Sequence, residues 1–87
     1  YLRKFQAAMI DLGKESLERF SPDQRHVSGL TLSLSKQAFV EVRDLIEGLR
    51  KRCIEIADND REISQVYQIN VQAFPVTKPY LPDTPQS

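Results

Sequence analysis

The chain has 87 residues, 40% of them hydrophobic and 28% charged, which allows one small domain and excludes a two-domain organisation. Twelve basic residues balance twelve acidic ones, so no net field exists to hold a polyanion or an anionic membrane. No apolar run reaches the roughly 18 residues of a membrane span, a lone cysteine (Cys53) cannot close an internal disulfide, and with one histidine (His26) there is no soft-ligand set for zinc.

Leu2, Phe5, Met9, Leu12 and Phe20 recur at helical spacing, interrupted in phase only by Ser16, and predict an amphipathic helix over Leu2 to Arg19. Pro22 follows, and its ring cannot continue a helix. From Val27 to Leu34 the period changes to two, with Leu30, Leu32 and Leu34 on one side and Gly29, Thr31 and Ser33 on the other, which reads as a half-buried strand.

Ser35 is placed to cap a second helix ending near Asp58. Its stripe is Phe39, Val42, Ile46, Leu49, Cys53 and Ile56, widened by Leu45 and Ala57, against a charged side carrying Glu41, Asp44, Glu47, Lys51 and Glu55. A helix this long outruns an eight-residue strand and should overhang a sheet. Beyond a polar connection, Tyr67, Ile69, Val71 and Ala73 alternate with Gln68, Asn70 and Gln72, the clearest period-two signal in the chain. Pro75 ends it, and four of five prolines fall in the last thirteen residues, so Thr77 to Ser87 reads as a disordered tail after a single domain over 1–76.

The expected fold is therefore α+β: helix, strand, helix, strand in two layers, with both helices on one face of the sheet. Two strands are too few to stand alone, so a partner chain is expected to complete the sheet. The face away from the helices would present Thr31, Ser33, Gln68, Asn70 and Gln72, polar yet uncharged in a charge-rich protein, and these five form the candidate interface. Leu32, Leu34, Ile46, Leu49, Cys53, Ile69 and Val71 are expected to be buried together.

Chemistry-bearing motifs are scarce. His26 with Asp23 and a nearby serine lacks a nucleophile elbow or oxyanion loop, and reads as a strand-entry residue. Cys53 lies on the apolar stripe and reads as a small buried hydrophobe. Arg50, Lys51 and Arg52 point in three directions around the helix, with Glu47 and Glu55 in ion-pairing range, and read as a solvated face. A calcium loop opening at Asp58 and Asp60 fails, because Ile63 and Ile69 occupy its glycine and bidentate-carboxylate positions. Gly13, Gly29 and Gly48 are isolated, so neither a phosphate loop nor a dinucleotide fingerprint exists. No catalytic, metal or cofactor-binding residue is expected, and the reading is of a non-enzyme without cofactors.

Arg25 and Ser28 ahead of Leu30 to Ser33, Phe39, Ile46, Arg50, and then Val66 to Asn70 with Gln72, Phe74 and Pro75 form a diffuse pattern. Over Arg25 to Pro75 it resembles the carboxy-terminal domain of unknown function of an uncharacterised bacterial family of proposed transcriptional regulators. Leu49 stands where that family more often has an aromatic. The resemblance implies a helix-turn-helix-like region upstream, with DNA contact supplied there, and a chain that is the end of such a protein, in keeping with a start at Tyr1 inside a helix. The expectation is a cytoplasmic regulatory or oligomerisation module, homodimeric, touching no membrane. The alternative is a small-ligand sensor using the polar face of Thr31, Ser33, Asn70 and Gln72.

Overall fold

A computed structural model describes residues 2–78. Helix α1 spans Leu2–Arg19, a short 3-10 turn covers Pro22–Gln24, and helix α2 spans Lys36–Asn59. α1 stops at the bounds its pattern predicts. Past it, the Arg25 side chain donates from Nε to the Phe20 carbonyl at 3.0 Å, satisfying an acceptor just beyond the helix end. The turn that follows is closed by the Gln24 amide donating to the Ser21 carbonyl at 2.9 Å, and proline opens it because its fixed φ suits the first position.

Ser35 caps α2 as its position predicts: its Oγ accepts from the Ala38 amide at 3.0 Å, and its own backbone is extended. The helix runs 24 residues, one beyond the expected Asp58, to Asn59. There the Asn59 amide side chain donates to the Glu55 carbonyl at 2.9 Å, and the Asp60 backbone N–H reaches the Ala57 carbonyl at 3.2 Å. Asp60 then accepts from the Glu62 amide at 2.9 Å, an Asx-type turn that points the chain away from the helix axis.

The α+β expectation is corrected here. Among the described residues there are two α-helices, one 3-10 turn and no strand, so no sheet exists for the helices to cover. The segments 27–34 and 66–74 have no regular secondary structure. An alternating pattern states which side chains would share a face, but a strand also needs a neighbour to accept its ladder of hydrogen bonds. An isolated two-strand pair is marginal in water, and neither segment pairs with the other.

The expected core is corrected as well. None of residues 2–78 is buried, and no Cα of one helix comes within 8 Å of a Cα of the other. Leu32, Leu34, Leu49, Ile69 and Val71 are all exposed, Leu49 at 48% and Ile69 at 61%; only Ile46 and Cys53 of the expected set are half-buried. Without a sheet to receive them, the apolar stripes remain open to water. The expected disorder of Thr77 to Ser87 falls, from residue 79 onward, outside the described residues.

Candidate functional site

A groove of about 640 Å³ lies between three stretches of chain. Phe5, Met9 and Ile10 line it from α1, Ile46, Leu49 and Cys53 from α2, and residues 68–72 form the third side. The helical walls are the two stripes legible in the sequence, since spacings of three and four place these side chains on one side of each helix.

Asn70 ties the third side down. Its Nδ2 donates to the Met9 carbonyl at 2.8 Å, using the second lone pair of an oxygen already inside α1, while its Oδ1 accepts from Gln68 Nε2 at 3.0 Å. Gly13 lies beside this contact: a Cβ there would sit 3.4 Å from Asn70 Nδ2, at the near edge of ordinary van der Waals distance. Ser16, which interrupts the α1 stripe, donates from Oγ to the Gly13 carbonyl at 2.6 Å, so its hydroxyl is satisfied within the helix. Met9, Gly13 and Ser16 are consequently the half-buried ridge of α1, whereas Leu2, Phe5, Leu12 and Phe20 are exposed.

The five candidate interface residues are not brought together. Gln68, Asn70 and Gln72 line the groove, but Thr31 and Ser33 are not among its lining residues, and all five are exposed. Asn70 also turns toward α1 instead of away from the helices, a correction to the expected polar outer face. Sequence reasoning had Phe5 and Met9 on a stripe but missed Ile10 and the docking of residues 68–72 against α1. Gly13 one helical turn after Met9 was the available signal, though nothing in the sequence names Asn70 as its neighbour.

Other candidates have settled partners. His26 Nε2 lies 2.9 Å from Ser28 Oγ, but Asp23 accepts from the Ser21 hydroxyl, so the structure does not assemble a serine, histidine and aspartate relay. That hydrogen bond, followed by one from the Asp23 backbone, holds the Asp23 carboxyl below its ordinary pKa. Arg50 pairs with Glu47 at 3.0 Å and Arg52 with Glu55 at 3.2 Å, in exposed helical spacings worth about 0.3–0.5 kcal/mol each. Cys53 is half-buried in the groove wall. Among the described residues no group of three His, Cys, Asp or Glu side chains could hold a metal ion, and no helix is long and apolar enough to cross a membrane.

Compared with known proteins, residues 1–76 match the family described as a domain of unknown function, DUF4423. The match takes in α1, ahead of the Arg25 to Pro75 stretch that carries the sequence resemblance. No curated protein and no solved structure matches the chain.

Proposed function

This chain belongs to the DUF4423 family, and from that premise we propose that it is a non-catalytic regulatory and oligomerisation module which self-associates as a twofold homodimer. The observation that carries the reading is the absence of any buried residue over 2–78, together with large apolar side chains standing in water, among them Val66 at 98%, Leu30 at 86% and Leu45 at 74% exposed. A chain patterned for burial that buries none of its described residues by itself gains stability when another chain removes those surfaces from water. Twofold pairing is the commonest closed arrangement for a soluble homo-oligomer. The resemblance to bacterial transcriptional regulators supports a regulatory setting, with DNA contacted by a region upstream.

Sedimentation at micromolar concentration tests the reading. A stable species of twice the 10.0 kDa of one chain supports self-assembly, while a monomer that unfolds cooperatively removes it.

A second reading, a small-ligand sensor, is favoured by the groove alone, whose volume of about 640 Å³ lies within the usual span of about 300–1,000 Å³ for ligand pockets. Assembly ranks above it because the best-placed polar group in the groove is already engaged. Asn70 spends a donor on Met9 and its acceptor on Gln68.

A further inference from the structure

We infer that two copies of this chain meet through the outer face of α2, crossing antiparallel at Gly48, with Lys51 of each copy against Asp44 of the other. The inference rests on the self-association reading and adds the surface that makes it. Gly48 lies in the middle of a 24-residue helix, where glycine weakens the helix relative to alanine, and a Cβ built on it would meet nothing within 4 Å. Its presence is therefore not explained by crowding within the chain. Glu41, Asp44 and Leu45 line a shallow concavity of about 500 Å³ together with Gly48, and Leu45 is the most exposed large apolar residue of α2.

The charges on this face are arranged asymmetrically along the helix. Glu41 and Asp44 precede Gly48 and have no basic residue three or four positions away on either side. Lys51 and Arg52 follow it, and Glu55, about two turns on, lies on the same face in an ion pair with Arg52 at 3.2 Å. Arg50 and Arg52 occupy Glu47 and Glu55, the two carboxylates in range of Lys51, and Lys51 makes no ion pair among the described residues. Among the described residues this face thus carries two acids without ion-pair partners before the glycine and a cation without one after it.

Helical phase decides how these would meet. At 3.6 residues per turn, Asp44 and Lys51 fall on one side of the line through Gly48, and Glu41, Leu45 and Arg52 on the other. A twofold axis that runs two helices antiparallel keeps each residue on its own side and reverses its height. Lys51, three positions after Gly48, then lies beside Asp44 of the other copy, four positions before it. Arg52, paired with Glu55 of its own helix, lies beside Leu45 and Glu41 of the other copy, its aliphatic stem over the leucine and its guanidinium between the two glutamates, which the twofold brings to one height. Each contact occurs twice by symmetry. A parallel pair would instead set acid against acid and base against base. Glycine at the crossing lets the two backbones approach. The groove opens on the opposite side of α2, through Ile46, Leu49 and Cys53, so this contact leaves it accessible.

The test is sedimentation equilibrium on the 87-residue chain and four variants: Asp44→Lys, Lys51→Asp, the double exchange, and Gly48→Gln. Among the described residues neither Asp44 nor Lys51 makes an ion pair, so exchange should not disturb the monomer. Each single reversal should raise the dimer dissociation constant at least about tenfold through like charges facing each other, and the double exchange should return it to within about threefold of the wild type. Gly48→Gln should weaken the dimer while increasing helical circular dichroism, which separates a blocked contact from misfolding. A wild-type dimer indifferent to these changes, or single reversals that the double exchange fails to repair, overturns the crossing and leaves self-association standing. A wild-type chain monomeric throughout overturns both.

Discussion

Replacing Ser35 by alanine removes the side-chain acceptor that satisfies the Ala38 amide at the start of α2. Loss of such a cap costs about 0.5–2 kcal/mol, and because α2 has no buried residue to hold it, the loss should appear directly as reduced helical circular dichroism. An unchanged spectrum would mean that the cap carries no weight. At Asp23 the prediction concerns pH. Its carboxyl titrates below the ordinary value because the charged form accepts from Ser21, so its support of the 22–24 turn is present above the ordinary carboxyl pKa and is lost as pH falls through the lowered one. Ser21→Ala should move the Asp23 midpoint upward in an NMR titration; a midpoint that stays put contradicts the assigned cause. Asn70→Asp replaces the donor to the Met9 carbonyl with a carboxylate that can only accept, so residues 66–74 should become more susceptible to limited proteolysis than in the wild type.

At the scale of elements, what sequence reasoning reached and what it missed divide along the range of the interactions. Both helices were legible because their determinants lie within a few residues: an apolar step of three and four, Pro22 as a stop, Ser35 as a cap. The strands were not, since period two in 27–34 and 66–74 describes only a sidedness, and the ladder that would turn it into a sheet is a contact between distant parts of the chain. The same distinction governs the groove. Ile46, Leu49 and Cys53 were on a recognised stripe, but their placement opposite Met9 joins distant parts of the chain, and the Asn70 bond that holds the third side joins positions 61 residues apart. Thr31 and Ser33 were grouped with Gln68, Asn70 and Gln72 by assuming a sheet, and without one they have no reason to converge. Exposure of the stripe has a measurable consequence. In monomeric chain, Leu49→Ala and Ile69→Ala should each change stability by no more than about 0.5 kcal/mol, the range of surface substitutions, and Ile46→Ala should cost more than either. A loss of about 2–5 kcal/mol at Leu49 or Ile69 would place those side chains in a packed core after all.

At the scale of the whole molecule, helices of 18 and 24 residues without a buried face face an energetic difficulty, because most helical stability in proteins comes from packing. Neither a disulfide nor any large ion-pair network compensates. The three ion pairs among the described residues are all exposed and local, so together they add little. On the proposed reading, association supplies that packing. A formal charge of zero argues against duplex DNA as the covering partner, and titration with random and promoter-derived duplex at low salt should give no sequence-specific binding. Sub-micromolar binding abolished by replacing Arg50, Lys51 and Arg52 would reverse that conclusion. The most direct test of the central claim is the mass of the chain by sedimentation equilibrium across the micromolar range. The account predicts a species of twice 10.0 kDa, with helical content rising as it forms; a 10.0 kDa monomer with concentration-independent helicity and cooperative unfolding would contradict it.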